Sequence, residues 1–500
     1  MGRESARRAA VGVLATALAL GIGHLLAGLV GPTSSPFVSV GNTAIDLAPE
    51  PVKRFAIDWF GAADKAVLLG GMAVVVLALA VLAGLLSRRG PAPGALLIGG
   101  FGALGVLAAL SRPDLGPVGA LPALVAAVVG VFGFVLLHGG SAGTAPGRRR
   151  FLITGAAVAG GAVLAGLGGA LLSARSGAAA AREAIRVRLP TPPPPPPGAD
   201  FADLGTPAFR TPNAEFYRVD TAFVVPSVDP ASWRLRVHGM VERELELSFA
   251  DLLRRPQVTR PITLTCVSNE VGGPYISTAD FTGVPIRSLL DEAGVLPGAE
   301  QLFSTSADGY TAGTPLDVLA EPDRHALLAY GMNGEPLPPE HGFPVRMVTS
   351  GLYGYVSATK WLVDLEVTTF DRRTYWEERG WAERAPIKTQ SRIDRPGPFE
   401  KVPAGRFTAA GIAWAQPVGI ERVEVRVDGG PWRTAQLSTE VSGDTWRMWR
   451  IELDLPPGGH RLECRATDRT GDAQTPRRAP TVPDGATGWH SVFCTAQGAR

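Results

Sequence analysis

Cysteine is scarce in this chain: three in 500 residues, at Cys266, Cys464 and Cys494. Three thiols cannot build a disulfide framework, and no C-x-x-C-H or other recognisable haem, flavin or iron–sulfur signature is present. Charge is also thin, at 19% of residues with a net +2, which excludes the basic excess of a nucleic-acid binder. Only His24 and His138 lie in or beside the long apolar runs. The topology read below puts them toward opposite faces of a bilayer, so they cannot clasp one haem between them.

What is present is unevenly spread. The first 180 residues are almost all Ala, Gly, Leu and Val, while the remainder has ordinary globular composition. Five apolar runs, Ala9–Val30, Ala66–Leu86, Gly94–Leu110, Val118–Leu137 and Phe151–Leu172, are long enough or nearly so to span a membrane. Arg3, Arg7 and Arg8 precede the first, Arg88 and Arg89 follow the second, and Arg148, Arg149 and Arg150 precede the fifth. The positive-inside rule makes those ends cytoplasmic and puts everything after residue 174 outside. Arg148-Arg149-Arg150-Phe151-Leu152 has the form of a twin-arginine export signal, or of a plain topology anchor.

The chain therefore divides into a helical membrane domain over 1–175, an Ala- and Pro-rich linker over 176–199, and globular parts over 200–380 and 381–500. The proline run through Pro197 has no amide donors and is expected as a stiff polyproline II spacer. Between 200 and 380, strands are expected at Trp233–Gly239, Gln301–Ala307 and Ala326–Met332, and after the turn at Thr211. Helices are expected after a Ser248 cap, over Val284–Gly294 and after a Thr314 cap. Their irregular alternation reads as α+β.

One stretch organises the rest. Ile262, Leu264 and Cys266 alternate with Thr263 and Thr265, the pattern of a half-buried strand, and Ser268, Asn269, Gly272, Gly273 and Pro274 end it. A cysteine at a strand exit is either a small buried hydrophobe or a soft ligand for a metal. Further on, H-G-F-P-V-R at His341–Arg346 and Y-G-Y-V-S-A-T-K-W-L at Tyr353–Leu362 offer several donors for a large anionic ligand bearing phosphate.

In this order, T-C-x-S-N, H-G-F-P-V-R and S-A-T-K-W-L resemble the sulfite oxidase family of molybdopterin enzymes, over residues from about Thr211 to Cys494. The resemblance implies a molybdenum–molybdopterin cofactor, with Cys266 as thiolate on the metal and as the catalytic residue. It implies pterin or phosphate contacts at Asn213, Phe216, Tyr217, Asp308, His341, Arg346, Ser357, Thr359 and Lys360. Two positions depart from the family. Sulfite-oxidising members follow the cysteine with A-G-N-R-R, whereas Glu270 stands here where a basic residue would be, and their sulfite-binding arginine aligns with Val219. A pocket without two cations binds a small dianion poorly, so the expected substrate is a neutral S-oxide or N-oxide, with sulfite as the alternative. A pterin-free binding protein is a second alternative. Electrons must be exchanged with a separate protein or carrier.

From about Pro386, alternating strands at Phe407–Ala415, Ile420–Val427, Trp446–Leu453 and His460–Thr467 predict an immunoglobulin-type β-sandwich. Asp428-Gly429-Gly430 and Pro457-Gly458-Gly459 read as hairpin turns. The family's corresponding domain implies a possible homodimer. Cys464 and Cys494 are either a pair or two core thiols.

Overall fold

The computed structural model describes residues 3–48, 52, 59, 64–111, 116–139, 145–174, 182, 185, 189–222 and 224–498, some helix-end side chains excepted. Two compact units emerge. One is Met1–Ala179 with Thr221–Ser227 and Ala307–Gly309; the other is Ala180–Asp220, Val228–Ser306 and Tyr310–Arg500.

The first unit is helical: α1 (Arg3–Val30), α2 (Pro36–Leu47), α3 (Asp64–Leu86), α4 (Ala92–Leu110), α5 (Leu121–Gly139) and α6 (Ala145–Ala174). Four spans, Glu4–Val30, Val67–Leu86, Ala92–Leu110 and Gly116–Gly139, are long and apolar enough to cross a membrane. In α6 the described apolar segment is shorter, Ile153–Gly169, and the side chains of Arg148, Arg149 and Arg150 lie outside the described residues. α1 is the hub, packed on α3, α5 and α6. Small residues allow the approach: a Cβ at Gly12 would sit 1.9 Å from the Ala80 carbonyl oxygen, and one at Gly84 the same distance from that of Arg8. Large apolar side chains such as Val74, Phe132 and Leu164 face outward, as lipid-facing residues do. The short helix α2 has no counterpart among the five runs.

The second unit holds four sheets. Strands β1 (Arg234–Gly239), β2 (Leu245–Ser248), β5 (Gln301–Ser306), β6 (Thr311–Pro315) and β10 (Leu362–Thr368) form one, in the order β2-β1-β10-β5-β6. Strands β3 (Val258–Thr265), β4 (Ile276–Pro285), β7 (Ala326–Met332) and β8 (Glu335–Pro336) form the next in chain order, with β9 (Arg346–Thr349) on β7. Only β1 and β10 pair in parallel within them, so the mixed α+β reading holds. Short helices α7 (Phe249–Arg254), α8 (Ile286–Ala293) and α9 (Leu316–Ala320) connect the strands. α7 starts with the expected Ser248 cap, reciprocated by Asp251, and α8 ends on left-handed Gly294.

Four local expectations give way to tertiary contacts. Residues 217–220 stay outside any sheet. Thr314 does not cap α9; its hydroxyl donates to the Val356 carbonyl at 2.6 Å. The strand before Cys266 is buried on both faces, Thr263 and Thr265 included. The proline run is no free spacer: Pro193 O accepts from Arg210 (2.7 Å) and Pro197 O from Thr439 (2.8 Å). The Ala-rich lead at 178–188 lies mostly outside the described residues.

The C-terminal strands are β11 (Gln390–Arg395), β12 (Lys401–Pro403), β13 (Gly405–Trp414), β14 (Ile420–Val427), β15 (Arg433–Thr434), β16 (Gln436–Leu437), β17 (Arg447–Leu455), β18 (Gly458–Asp468) and β19 (His490–Gln497). They make two sheets, β11-β13-β17-β16 and β12-β19-β18-β14-β15. Phe407, Trp449 and Leu453 from one share a core with Val423, Leu462 and Val492 from the other. Asp428-Gly429-Gly430 turns a hairpin, β14 to β15. Pro457-Gly458-Gly459 does not: β17 and β18 lie in different sheets, so the chain crosses between them there. Cys464 and Cys494 are unpaired and buried. On the paired strands β18 and β19 they face His490 and His460 respectively, four residues out of register, about 13 Å along a strand and beyond disulfide reach. A further core joins these sheets to the preceding part: Trp414, Trp446 and Met448 pack with Val267, Ile276, Leu352, Tyr353 and Tyr355.

Candidate functional site

Cys266 sits one residue past β3, at the neck of the loop that returns as β4. Three bonds close that neck: Cys266 N–H to Tyr275 O (3.0 Å), Asn269 N–H to Cys266 O (3.0 Å) and Tyr275 N–H to Asn269 Oδ1 (2.8 Å). The side chain is half-buried. Burial pushes its thiol above the ordinary range, while hydrogen bonds from the Ser268 backbone and hydroxyl and the Lys360 charge pull the other way.

A second group gathers on the turn at 211–217, the loop at 339–346 and the loop at 353–361. Its centre is Arg346, buried on β9. Its guanidinium donates only to backbone carbonyls, those of His341 (3.1 Å), Ala358 (3.4 Å) and Met347 (3.4 Å), and no carboxylate pairs with it among the described residues. Desolvation lowers its pKa to about 10. Lys360 donates to Asp220 and Glu340 O, both at 3.1 Å. Burial lowers its pKa to about 8, against the pull of Asp220. Gly342 lets the two cations' loops meet: at φ +109, its Cβ would lie 3.0 Å from those of Arg346 and Lys360.

His341 donates from Nε2 to Asn213 O at 3.0 Å. Burial first, then Arg346 and Lys360, lower its pKa to about 4, so the ring is neutral and Nδ1 is a bare acceptor. That Nδ1 is buried without a partner. The Asn213 side chain is fixed by Asn333 (2.8 Å) and Met332 O (3.3 Å). Phe216 lies edge-on to His341 at 5.4 Å and stacks on Tyr217 at 5.4 Å. Burial, and then the nearby Cys266 sulfur, raise the Tyr217 phenol, which therefore stays a donor.

Ser357 and Thr359 are placed differently. The Ser357 hydroxyl donates within its own turn, to Tyr353 O (3.0 Å) and Leu352 O (3.2 Å). Thr359 shares a hydrogen bond with Ser304 at 2.7 Å, tying the loop to β5. Asp308 is buried in the β5–β6 turn, which belongs to the first unit. Ser268 and Asn269 belong to the T-C-x-S-N motif but were not among the expected site residues. Their position beside the cysteine was the available signal.

Orphaned polar atoms test what the site can hold. Among the described residues, His341 Nδ1, Asn269 Nδ2 and Thr265 Oγ1 are buried with no partner, and Arg346 is a buried cation without an anion. A large polar ligand that bears a phosphate and also offers a hydrogen-bond donor fits this set of donors and one acceptor.

Residues 222–376 match the family described as the oxidoreductase molybdopterin binding domain. The chain is 31% identical to chicken (Gallus gallus) sulfite oxidase over 327 residues, covering 56% of itself and 71% of that protein. This chain belongs to the sulfite oxidase family of molybdopterin oxidoreductases. The family's cofactor is molybdenum–molybdopterin. Human mitochondrial sulfite oxidase is also 31% identical over 331 residues, and the chain spans 59% of that protein's length. Rice (Oryza sativa subsp. japonica) nitrate reductase [NADH] 1 is 27% identical over 330 residues, 53% of this chain and 36% of that one. The sulfane dehydrogenase SoxCD structure from Paracoccus pantotrophus shares the fold, with a TM-score of 0.51 at 24% identity, covering 58% of this chain and 84% of that one.

Proposed function

We propose that this family member is a membrane-anchored enzyme working outside the cytoplasm, with Cys266 on molybdenum and a neutral S-oxide or N-oxide as substrate. The observation that carries the cofactor placement is the buried Arg346 guanidinium, which meets only carbonyls. When bound, the cofactor supplies two-electron oxygen-atom transfer at molybdenum. Arg346 and Lys360 would hold its phosphate, and the bare His341 Nδ1 would accept a hydrogen bond from it. Asn213, Phe216 and Tyr217 would line the same ligand. Ser357 and Thr359 act by shaping the loop that covers it. In the net reaction the substrate gives up its oxygen as water, taking two protons and two electrons.

The substrate reading rests on charge. Val219 is exposed, Glu270 is acidic, and neighbouring Arg218 is drawn to Asp220 at 2.8 Å. Sulfite is the second reading, favoured by relatives named as sulfite oxidases. Electrons come from a separate partner, and the C-terminal sheets are an immunoglobulin-type module suited to a homodimer. Purifying the full chain, measuring molybdenum, and screening sulfoxides, N-oxides and sulfite tests the reading. Absence of molybdenum refutes the cofactor assignment, and saturation at micromolar sulfite refutes the charge argument. Orientation follows from the arginines: a reporter active only outside the cytoplasm, fused after Gly198, should be active. Arg148 and Arg149 replaced by Lys should block export by the twin-arginine route.

A further inference from the structure

The Cys266 loop is gripped from beyond its own sheet. Thr263 lies on the free edge of β3, three residues before the cysteine, and C-terminal residues take each of its polar atoms. Its N–H donates to Asp444 O (2.9 Å), its carbonyl accepts from Gln416 (3.1 Å), and its hydroxyl accepts from Trp446 N–H (2.8 Å). On the returning arm, Gly273 O accepts from Arg392 at 2.7 Å. Gly272, at φ +85, lies under the His490 ring, where a Cβ would come within 2.3 Å of Cδ2 and Nε2. Ile393 N–H in turn fixes that ring through Nδ1 at 3.0 Å.

We propose that Arg392 is a positioning residue for Cys266, holding the far side of its loop so that the C-terminal sheets set the direction of the sulfur. This rests on Cys266 as the molybdenum ligand. The neck bonds fix the cysteine's own backbone, but Gly272 and Gly273 are the freest residues of the loop, and a charge-assisted bond to Gly273 O removes that freedom. Metal and catalytic geometries tolerate only about half an ångström of play. Stability alone does not account for the Arg392–Asp394 pair. Both side chains are nearly buried, their bond is 2.7 Å, and Asp394 Oδ2 has no partner. Burial has pushed that carboxyl up to about 6. A pair so placed is at best neutral for folding, whereas the Gly273 contact gives it a local task.

The test uses the full-length holoenzyme. Arg392→Met combined with Asp394→Asn removes the grip without stranding a buried charge, and Arg392→Lys keeps the charge but loses the fork. Amide hydrogen exchange over 266–276 should quicken on the order of tenfold in both, with β13 and β17 unchanged. The Mo(V) paramagnetic signal should broaden at normal molybdenum content. Wild-type exchange in the loop, or an equal rise throughout the domain, would overturn the proposal. Molybdenum missing from the wild-type chain would end the ligand assignment instead, while the exchange data still decided whether Arg392 holds the loop.

Discussion

Around Arg346, two cations and a neutral imidazole converge in buried space, whereas the Cys266 loop carries the exposed carboxylate Glu270, and Val219 is exposed and apolar. On the first side, positive charge has been desolvated in advance with one carboxylate, Asp220, set against Lys360. On the second, the sulfur of Cys266 is opposed by burial and eased by Ser268. The difference separates two tasks. Holding a permanent anion rewards fixed cations, which cost about as much to bury as the ligand returns. Under the proposed function, turning over a neutral substrate rewards a site without them.

The largest expected effect breaks the second side. Cys266→Ser exchanges a soft anion for a hard hydroxyl and should lower turnover more than about a hundredfold, since even outer-shell changes at metal sites cost 10–100-fold. The sulfur-to-metal absorption should vanish while pterin remains. Retained turnover with normal molybdenum would refute the ligand assignment. Breaking the first side comes next: Arg346→Met should cut cofactor occupancy on the order of tenfold or more, measured as pterin per folded chain, with Arg346→Lys recovering only part of it.

A pH measurement sharpens the contrast. Lys360 is lowered from 10.5 to about 8 in the folded protein. Below pH 8 both folded and unfolded chains are protonated there, and the burial penalty is fully present, on the order of 3 kcal/mol. Between about 8 and 10.5 the unfolded chain binds more protons, so the cofactor-free protein should gain stability as pH rises. Lys360→Met should flatten that rise, and so should a bound phosphate. A flat profile in the cofactor-free protein would contradict the buried cation. The smallest effect is a gain: Val219→Arg should lower the KM for sulfite several-fold, about 1 kcal/mol, the Coulomb attraction of two unit charges about 4 Å apart in water, and an unchanged KM would remove Val219 from the substrate side.

Much of this was legible locally. Alternation marked β3, a glycine ended α8, and a serine cap opened α7. The clustered donors of His341, Arg346 and Lys360 were visible as motifs. What escaped depended on distant chain. The threonine face of β3 looked solvent-exposed because its cover is up to 183 residues away. Thr314 carries a cap signal, but a buried carbonyl competed for its hydroxyl. Pro457-Gly458-Gly459 has hairpin chemistry, yet local residues do not say which sheet receives the next strand. Nothing near Arg392 or His490 points to a loop over 100 residues earlier.

The covered edge of β3 bears on the order in which the protein is made. An uncovered strand edge is a template for unwanted pairing, and the residues that occupy this one, Gln416, Asp444 and Trp446, leave the ribosome long after β3 itself. Until they arrive, the cysteine's strand has a vacant flank, so the Cys266 loop matures only when nearly the whole chain has been synthesised. A chain cut short before Gln416 would expose that flank for good, and its characteristic failure would be aggregation rather than a soluble, inactive enzyme.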